Sequence, residues 1–293
     1  MSKKSWSLFI AVGILWGIPY LLIRVAVRDL SPAMVVFSRV LIGALILVPL
    51  AIRQKSFLPA LRNFRYIFAY AAVEIMGPWF LITKAEMKIS SGLAGLLVAT
   101  VPIWATIYAS MTGDKTVWHR KRMVGLVVGF IGLVAVVGLE SLSGKNSLVA
   151  IFSILIAAVG YALAPNMIMK KLPHISGLAI NALAMTMAAI VYAPFAILQW
   201  PTKHVSRDSL LSVVALGIFP TAMAFVVFFA VLREVGPARA SLVTYLNTAF
   251  AVLLGVLILS EPLTLGILIG LPLVLIGSYL ASKKSATPHL IST

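Results

Sequence analysis

The fold class this sequence predicts is an all-α polytopic membrane protein, ten transmembrane helices arranged as two inverted five-helix repeats. Three observations carry it. Of 293 residues, 61% are hydrophobic and only 11% charged, where soluble domains run near about 45–50% and about 25%. The apolar residues gather into ten runs, each near the ~20 residues that carry a helix across the hydrocarbon core, and none alternates as a membrane β-strand would. A polar connection at residues 140–146 splits the runs five and five. Five passes is an odd number, so the second half starts on the opposite side of the bilayer and any duplication is inverted.

The spans fall at about 6–27, 32–52, 64–84, 91–111, 123–139, 147–169, 175–199, 210–232, 238–259 and 264–281. The first is a retained helix, since its basic flank is followed by no A-x-A cleavage site. It holds Trp16-Gly17-Ile18-Pro19-Tyr20, where Pro19 frees backbone carbonyls at mid-membrane. Trp16 and Tyr20, four apart, share a helical face and read either as an aromatic substrate wall or as packed bundle aromatics. Arg24 closes this span. Ser31 can cap the second span and Pro32 suits its first turn. Arg39 lies two turns in, too deep to reach the interface easily, and can meet an anionic group or serve a gate.

The third span contains Glu74, the sole acid this reading places deep in a helix. A carboxylate there faces the bundle interior or a wet cavity, as a proton carrier, as the partner of a substrate cation, or as a structural carboxyl. Pro78 and Trp79 follow it. The fourth span has Pro102, Trp104 and Tyr108, and the fifth is the shortest. Tyr161, Pro165 and Asn166 mark the sixth, Asn181 and Pro194 the seventh, Pro220 the eighth, and Thr244, Tyr245, Asn247 and Thr248 the ninth. A buried Asn must pair both ends of its amide, so Asn166 and Asn247 stand as cavity candidates, with interhelical hydrogen bonding the other reading. The tenth holds Pro272. Prolines in both halves fit kinked or discontinuous helices around a central site. Gly125 and Gly132 in the fifth span repeat the spacing of Gly270 and Gly277 in the tenth, and Gly113-Asp114 resembles Ser260-Glu261. Gly13/Gly17, Gly125/Gly129 and Gly266/Gly270 form G-x-x-x-G pairs that let helices approach closely. They are read as packing within a monomer, with a weak homodimer seam as the alternative.

The formal net charge is +16, from 24 Lys and Arg against 8 Asp and Glu. The basic residues lie between apolar runs, so they answer to topology and anionic headgroups rather than to nucleic acid. Lys3, Lys4, Arg53, Lys55, Arg62, Arg65, the 115–122 and 170–171 clusters, Arg233, Arg239, Lys283 and Lys284 share one side. Arg28, Lys84, Lys88, Lys145, Lys203 and Arg207 share the other. The richer side is cytoplasmic by the positive-inside rule and carries both termini.

No hydrophilic stretch is long enough for a catalytic or nucleotide-binding domain, and no G-x-x-x-x-G-K-[ST] loop or H-E-x-x-H motif occurs. With no cysteine and four histidines scattered over loops and tail, no metal, other cofactor or enzymatic activity is expected.

Leu15-Trp16-Gly17-Ile18-Pro19-Tyr20 followed by Arg24, Ser31-Pro32 and Ser38-Arg39, then Pro237-Ala238-Arg239-Ala240-Ser241-Leu242, Asn247-Thr248-Ala249-Phe250 and Ser260-Glu261-Pro262-Leu263, resemble the drug/metabolite transporter superfamily, specifically its EamA-type ten-helix permeases. The resemblance spans nearly the whole chain. It implies two inverted repeats around a central cavity, at 1–141 and 147–282 with a cytoplasmic tail at 283–293, and cytoplasmic termini in the bacterial inner membrane. It further implies export of amino acids, other metabolites or toxic compounds without ATP hydrolysis in the chain. Glu261 matches the family's acid after helix nine and is expected to cap or lock a loop; Asp114 is its first-repeat counterpart. Pro102 keeps the helix-four proline, whereas Thr248-Ala249 stands where many members have one, so helix nine is expected to bend less.

The functional expectation is a secondary transporter exporting small organic metabolites, amino acids first, by alternating access. Trp16, Tyr20, Arg39, Trp79, Trp104, Tyr108, Asn166, Tyr245 and Asn247 are the pocket residues, with Glu74 for proton coupling and Arg24 as a further buried charge. Efflux of cationic compounds, uptake, and a channel or scaffold are the alternatives. Lipids and the solute are the expected partners.

Overall fold

Apolar runs separated by caps and prolines become helices because a chain in hydrocarbon must satisfy its backbone internally. The computed structural model describes residues 3–113, 118–142, 147–235, 240 and 243–282, and the regular structure in them is helical throughout. The membrane helices are α1 (Lys3–Ala26), α2 (Pro32–Arg53), α3 (Phe64–Ala85), α4 (Ser91–Met111), α5 (Arg120–Leu142), α6 (Leu148–Lys171), α7 (Gly177–Leu198), α8 (Arg207–Glu234), α9 (Val243–Leu259) and α10 (Leu265–Ser282). Eight are long and apolar enough to cross a bilayer; α9 and α10 are shorter. The span expected at 123–139 is longer by more than a turn and a half, and a six-residue helix, Phe57–Arg62, fills the basic connection after α2. Asp114 and the 236–239 and 283–293 segments lie outside the described residues, as does most of the Pro237–Leu242 motif.

The helices associate in a pattern that survives exchange of the two halves. α2 lies on α7, α4 on α9 and α5 on α10, each helix meeting its own counterpart. α1 lies against α8 and α9, and α6 lies correspondingly against α3 and α4. The α5–α10 seam is the tightest, with Gly125, Gly129 and Gly132 facing Gly270 and Gly277 so closely that backbone meets backbone. In lipid, where no hydrophobic force drives helices together, such close contact is what holds a pair. Gly13 and Gly17 likewise let α1 onto Leu246 and Phe250 of α9, so these glycines are used inside the monomer.

Prolines act differently by position. Ser31 Oγ accepts the Met34 N–H at 3.3 Å and Pro32 occupies the first turn of α2. α1 runs unbroken through Pro19. α3 widens into a π-turn over Ala72–Met76 just before Pro78, and α8 does so over Gly217–Met223 around Pro220. These are corresponding helices of the two halves, and π-turns recur at functional sites. α4 breaks at Ala99 and Thr100 ahead of Pro102, where Ser278 Oγ of α10 donates to the Ala99 carbonyl at 2.9 Å. α9, with Thr248-Ala249 at the matching place, is continuous. That difference follows from the proline alone.

One end of the bundle, where α1 finishes and α4 and α8 start, is tied by two carboxylates at helix N-termini. Glu261 accepts from Ser91 N (2.8 Å), Ser91 Oγ (2.8 Å) and Gly92 N (3.0 Å), capping α4 from across the repeats. Asp29 accepts from Ser206 N (3.0 Å), Ser206 Oγ and Ser209 Oγ (2.7 Å) at the start of α8. Those bonds, the Ser206 hydroxyl first, hold the exposed Asp29 carboxyl below its ordinary range. A depressed native pKa means this contact is fully present above the unfolded value near about 3.9 and is lost only as pH falls through the native value. The thermal midpoint of the solubilised protein should therefore keep its Asp29 contribution down to that range and fall below it. Asp29→Asn should flatten this acid limb; an unchanged acid limb would remove Asp29 from the account. At the opposite end, Lys4 Nζ pairs with Glu234 at 2.8 Å above a small cluster of Phe9, Val12, Val231, Ala240 and Val243.

Candidate functional site

The site is built around a buried cation. α2 places Arg39 two turns below its capped start, 7% exposed and between the repeats. Its hydrogen-bond partner stands next to Pro220 on α8. Lacking an N–H, Pro220 leaves the Leu216 carbonyl, four residues back, without its usual helical donor. The Thr221 hydroxyl fills that gap at 2.8 Å, and its oxygen accepts from Arg39 Nε at 2.8 Å. On the other side the guanidinium carbon lies 3.5 Å from the Trp79 ring centroid, a cation–π contact worth about 2 kcal/mol when desolvated. Arg39 makes no ion pair, and its two Nη groups have no hydrogen-bond partner among the described residues. Tyr20 of α1, Tyr161 of α6 and Glu86 at the end of α3 are within electrostatic reach of it.

The structure thus brings together Tyr20, Arg39 and Trp79 of the residues singled out in the sequence, with Tyr161 and Glu74 adjoining. Glu74 sits in the α3 π-turn; one of its carboxylate oxygens is buried without a partner among the described residues, and Tyr70 and Tyr161 share its surroundings. Tyr70 donates to Asn181 Oδ1 at 3.2 Å, joining α3 to α7, so Asn181 serves as a link between helices.

The remaining residues are placed elsewhere. Trp16 meets Phe225 and Phe228 of α8 (ring centroids 5.9 and 4.6 Å), whereas Tyr20 lies at Gly95 of α4, so the two rings turn to different neighbours. The Trp104 indole donates to Thr100 Oγ1 at 3.0 Å and its ring meets Phe130 of α5. Tyr108 is half-buried one turn further along. Asn166 donates to the Ala162 carbonyl of its own helix, and Tyr245 meets Tyr279 of α10. Asn247 is buried beside Gly17 and accepts from Thr248 Oγ1 at 3.3 Å. Arg24 donates to the Glu86 carbonyl and ties α1 to the end of α3.

Two residues of the site were not legible beforehand. Thr221 is an ordinary Pro-Thr step until α8 is folded, although a hydroxyl next to a helix-interior proline is a usable signal. Glu86 is a second buried acid, outside the spans, which the sequence reading did not single out. It falls two residues beyond the apolar run, yet it is 0% exposed, and Arg24 donates to its main-chain carbonyl.

The profile of the EamA-like transporter family matches residues 4–138 and 148–283. The chain belongs to this family. It is 25% identical over 275 residues to the uncharacterized transporter YoaV of Bacillus subtilis (strain 168), covering 92% of this chain and 94% of that protein. It is 28% identical over 291 residues to the uncharacterized inner membrane transporter YedA of Escherichia coli (strain K12), covering 96% and 94%. A solved crystal structure superposes with a TM-score of 0.66 at 16% identity, covering 96% of this chain and 98% of that one, which shows the fold. This EamA-like protein is a multi-pass membrane transporter.

Proposed function

We propose that this transporter exports small organic metabolites bearing a carboxylate, amino acids first, across the bacterial inner membrane by alternating access, with both termini cytoplasmic. The observation that carries the reading is Arg39: a desolvated cation whose Nη groups have no partner among the described residues, lying over Trp79 with Tyr20 and Tyr161 within electrostatic reach. A guanidinium presents paired donors that fit a carboxylate in two parallel bonds, and the aromatic rings suit the apolar part of a solute. Arg39 also spans the repeats, so moving one against the other remakes its surroundings. Glu74 is the first candidate for proton coupling under this reading.

Counterflow in proteoliposomes tests it. Vesicles loaded with unlabelled amino acids, nucleosides or organic cations face labelled partners outside. Saturable, trans-stimulated uptake of amino acids is expected, with Arg39→Ala reducing it by more than about 30-fold, the scale of losing one partner of a buried charge pair. Arg39→Lys keeps the charge but loses the fork and should recover only part. Exchange of organic cations that is indifferent to Arg39→Ala would instead favour cation efflux.

A further inference from the structure

Glu86 is a buried carboxyl that the substrate reading leaves unused. Neither of its carboxylate oxygens has a hydrogen-bond partner among the described residues. Of the cations near it, Arg24 donates to the Glu86 main-chain carbonyl, and Arg39 donates through Nε to Thr221 and lies over Trp79. The titratable and charged groups facing it are Tyr20 and Arg24 from α1, Arg39 from α2 and Glu261 from the α9–α10 connection, while Lys84 and Lys88 on its own segment point outward. An ionised carboxylate in this setting would be strongly disfavoured. Burial, reinforced by the Glu261 charge, raises its pKa well above the usual carboxylate range against the pull of Arg24 and Arg39. Glu74, by contrast, lies within the α3 π-turn, with one carboxylate oxygen unpartnered among the described residues.

We propose that Glu86 is a proton-binding site that governs the Arg39 contact between the repeats. Protonated, Glu86 leaves Arg39 on Thr221 and Trp79, and this end of the bundle stays shut. Deprotonated, with its proton passing to water at this end, Glu86 draws the Arg39 guanidinium off the Thr221 hydroxyl and frees α2 from α8. The same cation that would hold a substrate carboxylate is then claimed by the protein's own carboxylate, which links proton and solute occupancy at one residue. This inference rests on the alternating-access reading, and assigns its coupling proton to Glu86 in place of Glu74.

The absence of cysteine lets spin labels be placed without altering any native thiol. Labels at Met87→Cys and Lys203→Cys, both exposed, report the separation of the two repeats at this end by double electron–electron resonance in liposomes, without any substrate. From about pH 5 to about pH 9, a range that includes documented buried-Glu values, the distance distribution is expected to move to longer separations as pH rises. Glu86→Gln should hold it short at every pH, and Glu74→Gln should leave the response intact. Should Glu86→Gln fail to fold, Thr221→Val keeps the test open: by weakening the shut state it should shift the midpoint to lower pH. The Asp29 contact stays formed across this range. A response that survives Glu86→Gln overturns the proposal. A wild-type distribution that ignores pH, or a response lost in Glu74→Gln, overturns it as well. Because no solute enters this experiment, its outcome is independent of whether counterflow finds amino acids.

Discussion

Glu261→Ala is expected to cost about 2–3 kcal/mol, above the ~0.5–2 kcal/mol of an ordinary helix cap, because the half-buried carboxylate is a charged acceptor. The carboxylate accepts three hydrogen bonds from Ser91 and Gly92, two of them from main-chain N–H groups that open α4 and have no helical acceptor. A charged acceptor at a helix N-terminus also meets the positive end of the helix dipole. Gly255 is small enough to let the carboxylate in; a Cβ there would fall onto Glu261 and Ser91 Oγ. The thermal midpoint in detergent should drop sharply, and amide exchange at Ser91 and Gly92 should accelerate more than exchange in α7. Glu261→Gln retains an acceptor without the charge and should lie between the two. Unchanged exchange at the start of α4 in Glu261→Ala would show that the cap is not what holds this corner.

The α5–α10 seam gives the second large effect. A Cβ on Gly277 would run into the Gly129 backbone and lie 2.8 Å from the Gly125 carbonyl oxygen, so Gly277→Val must push the two helices apart. The expected loss is about 3 kcal/mol or more, at the upper end of overpacking costs, because rigid backbone rather than a movable side chain stands in the way. Gly138, on the same α5, has nothing within 4 Å of its Cβ position. Gly138→Ala should therefore gain about 0.5–1 kcal/mol from helix propensity. The pair of variants, read by the thermal midpoint, separates close packing from helix propensity; equal tolerance at both sites would show that the seam is looser than its geometry.

Much of this was legible from residue order. The Ser31-Pro32 start of α2, the break ahead of Pro102 and the continuous α9 at Thr248-Ala249 each follow from local chemistry acting within a few residues. The role expected of Glu261, to cap or lock a loop, came from a motif resemblance, and its hydrogen bonds cap the start of α4. The site was legible in part. Arg39 stood out because a cation deep in an apolar run demands an explanation, and Trp79 was named without any sign that the two would meet. Trp16 and Tyr20 share a sequence spacing but turn to different helices, since spacing defines a face of one helix and not which neighbour covers each part of it.

By itself the sequence determined the membrane environment, the ten helices, and the family, because hydropathy, proline position and capping are properties of short segments. Only the tertiary structure decided that Thr221 holds Arg39 and that Glu86 is buried unpaired. Those facts depend on helices distant in the chain: Pro220 frees a carbonyl on α8, its neighbour's hydroxyl fills it, and α2 from the other repeat supplies the cation. A polar side chain gains its function here from which partners are already taken, and that is set by the way the two repeats close on each other.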